Sequence, residues 1–184
     1  MRLNFSVIFL FIFGLLGCSS VIPFEVESET YYFEIVPTGI AVSEFWAERG
    51  QEITTDLNGI TLKQLTFYFT ITNQIGSDTV LNVVWALSGS AGNGETKVYV
   101  GTPEVISSGK EGVDYVYLAK DVNLTNNQST SFPVIVDSKE FLDSLVAKKK
   151  YWILLKNNIS GPILSSSKQK GIFKVVIKGE KSLF

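Results

Sequence analysis

Serine precedes lysine by three residues at Ser107/Lys110 and at Ser165/Lys168. At that spacing a lysine can act as base for a serine nucleophile. The same chemistry needs Ser-Asp-Asn and Lys-Thr-Gly elements and a serine that opens a helix. Neither element occurs, and both pairs fall in loop-like stretches. Paired carboxylates are the other route to hydrolysis, at separations of about 5 to 9.5 Å. Glu25, Glu27 and Glu29 alternate along an extended segment, and Asp114 and Asp121 flank a strand. Nothing in their spacing closes a cleft around any pair, so they read as solvated acids. The chain contains no histidine, which removes Ser-His-Asp and Cys-His catalysis, histidine general bases and the usual zinc sites. The glycine-rich "GSAGNG", residues 89–94, lacks the Lys-Ser/Thr and the spacing of a phosphate cradle and reads as a flexible hairpin loop. The sequence thus predicts no catalytic residues, no metal site and no cofactor, and the chain is read as a non-enzyme.

The only cysteine is Cys18, in "LLGCSS", after Met1-Arg2 and an apolar run from Phe5 to Leu16. A basic start, an apolar stretch of this length and small residues at its end make an export signal. The run is short of the ~20 apolar residues that span a bilayer. Leu15-Leu16-Gly17-Cys18 resembles the lipobox of bacterial lipoproteins. The resemblance implies a signal peptide over residues 1–17, a diacylglycerol on the Cys18 sulfur and an acylated new amino terminus. One acyl chain holds a protein only marginally, so a triply acylated Cys18 supplies the chains that stable anchoring needs. Ser19, where some lipoproteins have aspartate, implies the outer membrane if the host has one. Residues 18–29 are then the lipidated cysteine and a tether, with Ser19–Glu29 reaching at most about 40 Å, and residues 30–184 form the domain.

From Cys18 onward the chain has 167 residues, enough for one domain with a proper core. With the lone cysteine acylated, packing alone must hold it together. Charge is uneven. Residues 19–60 hold eight acids and one base, Arg49, whereas residues 138–184 hold ten lysines and three acids. Either the basic end meets a partner, or the two ends pack as neighbours, or the charges are merely solvated. The basic stretch has no arginine, and the exported location expected from Cys18 also argues against nucleic acid as a partner.

Positioning falls to strands. In "QLTFYFTIT", residues 64–72, Leu65, Phe67, Phe69 and Ile71 alternate with Thr66, Tyr68, Thr70 and Thr72, the pattern of a half-buried strand. Residues 79–87 place Leu81, Val83, Trp85 and Leu87 on one face. With the "NQIGSD" turn between them, the two runs read as a hairpin. Further strands are predicted at 31–37, 97–101, 113–119, 131–137, 151–156 and 171–178. Pro133 marks an edge strand or an outward bulge position. Residues 43–50 leave helix and strand equally open. One short helix is expected near 138–147, with Asp137 and Glu140 as a capping box and Phe141, Leu142, Leu145 and Val146 on one stripe. Short strands between turns imply an all-β fold. The alternation over residues 67–87 and the later "LTNNQSTSF" before an inward-facing strand resemble bacterial surface domains of immunoglobulin-like or fibronectin-like type. That resemblance implies a single β-sandwich; a small β-barrel is the alternative.

Too many tyrosines and tryptophans are present for all to face inward, and Trp46, Tyr68 and Trp152 are the candidates for an exposed aromatic binding patch. The expectation is a lipid-anchored envelope protein acting as an interaction or assembly module, with the membrane and an envelope protein as partners. The alternative is a lipoprotein that binds lipid or carbohydrate in a cleft or cavity.

Overall fold

A computed structural model describes residues 21–28, 30–37, 43–163 and 168–182. Cys18, the expected signal peptide over residues 1–17, Glu29 and Ser165 lie outside the described residues. The described residues form ten strands and two helices: β1 (Val21–Glu27), β2 (Tyr31–Ile35), β3 (Glu44–Glu52), β4 (Ile60–Gln74), β5 (Thr79–Ala86), β6 (Thr96–Tyr99), α1 (Glu104–Ser107), β7 (Tyr115–Leu124), β8 (Gln128–Val136), α2 (Lys139–Lys148), β9 (Lys150–Ile159) and β10 (Lys168–Ser182).

The strands build two antiparallel five-stranded sheets packed face to face, an all-β sandwich rather than a closed barrel. Sheet A runs β1-β10-β4-β8, with β2 continuing the β1 edge along β10; sheet B runs β6-β3-β9-β5-β7. The alternation in β4 does what its pattern dictates: Leu65, Phe67, Phe69 and Ile71 are buried against sheet B. Phe67 is the hub, with ring centroids 6.0 Å from Trp85 and 5.8 Å from Tyr151, both edge-on. The α2 helix closes one end by setting Phe141 against Trp85 at 5.3 Å. It begins one residue past the expected start. Ser138 occupies the cap position, and its hydroxyl bonds the Glu140 carboxylate at 2.9 Å instead of a backbone amide.

Three expectations change. Residues 64–72 and 79–87 are not a hairpin: β4 pairs with β10 and β8, whereas β5 pairs with β7 and β9. The turn between them carries the chain from one sheet to the other. Val84 and Ala86, on the face of β5 away from the core, are as buried as Leu81 and Val83, so β5 needs cover on both faces and sits inside its sheet. Buried Asn73 fixes the corner, its Nδ2 donating to the carbonyls of Ser77 at 3.0 Å and Leu124 at 2.9 Å. Second, the stretch expected as a tether contributes Val21–Glu27 as β1, in register with β10 from Val21↔Ser182 to Glu27↔Val176. Glu25 and Glu27, solvated when read alone, oppose a lysine-bearing strand. Third, residues 43–50, left open between helix and strand, fall almost wholly in β3. Pro133 lies on β8, an edge of sheet A, where its missing N–H costs no ladder bond.

Candidate functional site

The outer face of sheet B carries a second cluster. Trp46, Val84, Ala86 and Leu154 form its floor, and Tyr99, Val105, Tyr115, Tyr117 and Trp152 pack over it. Tyr99 and Val105 come from the excursion between β5 and β7, which folds back across the sheet, whereas Tyr115 and Tyr117 stand on β7 and Trp152 on β9. Glu48 shares the outward parity of Trp46 on β3, yet is only 2% exposed.

A buried carboxylate needs partners, and the glycine-rich loop supplies them. Oε1 of Glu48 accepts the amides of Ser90 at 2.6 Å and Ala91 at 2.5 Å, and Oε2 accepts the Tyr99 hydroxyl at 2.9 Å. Tyr99 and Ser90 also share a short hydroxyl–hydroxyl bond. Burial, with the nearby charges of Glu48 and Glu95, pushes the Tyr99 phenol above the ordinary tyrosine range, so it stays a proton donor. The loop is tied down along its length. Gly94 N donates to Gly50 O at 2.9 Å, Glu52 N to Asn93 Oδ1 at 2.9 Å and Trp152 Nε1 to Ala91 O at 3.0 Å. Two glycines allow this approach. A Cβ at Gly50 would lie 2.4 Å from the Gly92 carbonyl oxygen, and one at Gly89 2.6 Å from the Trp152 ring. The loop read from sequence as a flexible hairpin connection is instead clamped on a carboxylate.

Between this loop and α1 lies a pocket of about 460 Å³, lined by Glu48, Ser88, Ser90, Tyr99, Glu104 and Ser108 among others. Its hydroxyls and carboxylates suit a polar ligand. Asp114, on the stretch leading into β7, accepts the Lys110 amide at 2.8 Å, and Lys110 and Ser107 stand at the end of α1 rather than as a nucleophile at a helix start. Among the described residues no group of three or more acids or cysteines is placed to hold a metal ion, and no helix is long and apolar enough to cross a membrane.

The three aromatic candidates do not gather. Trp46 is sealed beneath the excursion, with Nε1 on Glu44 at 3.2 Å and Lys156 Nζ 5.7 Å above its ring. Trp152 belongs to the same cluster and carries Lys150 Nζ 4.9 Å over its ring. Tyr68 lies on the outer face of sheet A, across the sandwich, and is 50% exposed. Its neighbours by register are Lys174 and Pro133. Tyr32, Ile172 and Thr70 form the adjoining row, and beyond it hydroxyl pairs tie β4 to β8, Thr70–Ser131 at 2.8 Å and Thr72–Ser129 at 2.7 Å.

No protein-family model matches the chain, and no curated protein does. The chain is similar to solved structures of infectious bursal disease virus and its particles. The VP2 subviral particle is 11% identical over 87% of this chain and 32% of its own, with a TM-score of 0.41. The T13 viral particle is 12% identical, covers 87% and 31%, and scores 0.40. The Gx strain particle is 11% identical, covers 88% and 36%, and scores 0.40. The chain thus spans about a third of the length of these viral chains.

Proposed function

We propose that the chain is an exported lipoprotein, anchored to an envelope membrane through acylated Cys18, whose β-sandwich acts as a non-enzymatic interaction or assembly module. In a host with an outer membrane, that is its location. The observation that carries the module reading is the outer face of sheet A. Tyr32 (70% exposed), Tyr68 (50%) and Ile135 (59%) stand out from it beside the open edge strand β8. A sheet face of this kind, with exposed tyrosines and Ile135 set among hydroxyls and glutamate–lysine pairs, fits a protein surface. The lipid-binding alternative draws less support from the interior. The spaces between the sheets measure about 10 Å³ beside Phe33 and Leu155 and about 110 Å³ beside Tyr151, against roughly 300 Å³ for a small-ligand cavity. The test is site-specific photocrosslinking of the full-length protein in its native membrane. A probe at Tyr68 should yield a discrete protein adduct that a probe at Lys120, on β7 in sheet B, does not. No adduct at Tyr68 or Tyr32 rejects the module.

The polar pocket above Glu48 favours a second reading, carbohydrate binding. Binding of envelope saccharides, weakened by Ser108→Ala and Glu104→Gln with the fold unchanged, supports it; no saccharide binding rejects it.

A further inference from the structure

We infer that the pole of the sandwich from which β1 starts rests on an anionic phospholipid surface. The inference depends on the acylation of Cys18 proposed above and adds an orientation and a contact surface to it.

Chain connectivity defines the pole. Ile22 of β1 pairs with Lys181 of β10, which pairs with Ile60 of β4. In sheet B, Glu52 of β3 pairs with Lys150 of β9, and Ile53 N donates to the Lys149 carbonyl at 2.8 Å. Residues 53–59 join these two strand ends, so the starts of β1 and β9 and the ends of β10 and α2 share one end of the molecule. Only Ser19 and Ser20 separate Cys18 from Val21. Three Cα steps of 3.8 Å reach about 11 Å, far short of the 40 Å that a free tether to Glu29 would allow. An acylated Cys18 therefore holds this pole within about one headgroup layer of the hydrocarbon.

The pole's surface suits that neighbour. Ile22 is 50% exposed and Val21 is partly exposed, placed to enter the headgroup region. Lys148, Lys149, Lys150 and Lys181 stand there against Glu52 and Asp56, while Lys63 and Glu180 neutralise each other at 3.2 Å. At physiological salt, charges are felt over about 8 Å, within the reach of this leash, and juxtamembrane lysines are drawn to anionic lipid. The opposite pole, where β4 turns into β5, presents Ser77, Asp78, Asn126 and Ser160, with Lys168 as its lysine among the described residues. The Tyr32–Tyr68 face then stands along the membrane normal, open sideways to a partner.

The test is lysine acetylation of the intact protein as isolated from its native membrane and reconstituted in vesicles containing phosphatidylglycerol. Each lysine is compared with itself in detergent micelles by mass spectrometry. Lys149, Lys150 and Lys181 should react at least threefold more slowly in vesicles, and Lys168 and Lys170 should be unchanged. Equal rates for all five, on protein whose intact mass shows an acylated Cys18, overturn the orientation alone. An intact mass without acyl chains overturns the anchoring reading beneath it.

Discussion

The carboxylate of Glu27 accepts a hydrogen bond at 2.8 Å from Nζ of Lys174, 147 residues further along the chain. It is one rung of a ladder. Glu25 meets Lys178 at 3.4 Å and Glu34 meets Lys170 at 3.5 Å. All six side chains stand on the outer surface of sheet A, where β1 and β2 flank β10. The uneven charge of the chain is thus resolved within the fold: the acidic first strands and the basic last strand are neighbours. These pairs are exposed, so each adds little, but together they select register, since a one-residue slip would turn the glutamates away from the lysines. Lys174 has its pKa raised by the Glu27 hydrogen bond and charge, a contribution present at neutral pH and lost as pH rises through the lysine's own titration.

Reversing Glu27 and Lys174 together should therefore restore most of what either reversal removes, and 1 M salt should erase the difference. Denaturation of the two single variants and the double variant reads this; single and double losses that simply add would show that the pair is uncoupled.

The Glu48 clamp is a different kind of contact, buried and charge-assisted. Glu48→Ala strands two loop amides and the Tyr99 hydroxyl and should cost about 2–4 kcal/mol. Glu48→Gln keeps one oxygen for the two amides and should cost less. Urea unfolding measures both, and protease cleavage within residues 88–95 should accelerate in the alanine variant. A loop that stays protected would mean that Glu48 is not its clamp.

Gly50→Ala probes the same contact from below. Its Cβ would meet the Gly92 carbonyl oxygen at 2.4 Å, a backbone atom that cannot rotate away. A loss of roughly 1–3 kcal/mol is expected, with the loop displaced; an unchanged unfolding midpoint would contradict the close approach.

Tyr151 gives the opposite sign. Its hydroxyl is buried without a partner, so Tyr151→Phe should be neutral or stabilising by up to about 1 kcal/mol. Burial raises the phenol well above its ordinary value of 10.0. The folded protein then keeps a proton that the unfolded chain releases, and stability falls as pH climbs beyond 10. In the phenylalanine variant that alkaline fall should be shallower. Urea midpoints between pH 8 and 11 measure it, and an equally steep fall would assign the loss to other groups, Tyr99 first.

Strand positions and inward faces were legible wherever one face is apolar and the other polar, as in β4 and β10, because a period of two needs only local sequence. Which strands pair was not. β4 and β5 look like a hairpin because each has an inward row and a turn lies between them, yet the turn crosses sheets, and only β5's second buried row hinted at an interior strand. Val21–Glu27 passed for a tether because its glutamates find lysines at the far end of the chain. The Glu48 site was hidden for the same reason: the carboxylate and its amides lie 42 and 43 residues apart, a distance at which no spacing rule applies. Trp46, two residues from Glu48 on the same face, was the nearest signal, and it was read as an exposed aromatic rather than as the floor of a covered cluster.

The most direct measurement of the whole account is the intact mass of the protein purified from its native membranes. The account predicts a chain that begins at Cys18, heavier than its sequence by one diacylglycerol and one further acyl group, and absent from membranes when Cys18 is alanine. A full-length, unmodified chain with Met1 in place, recovered from the soluble fraction, would contradict it.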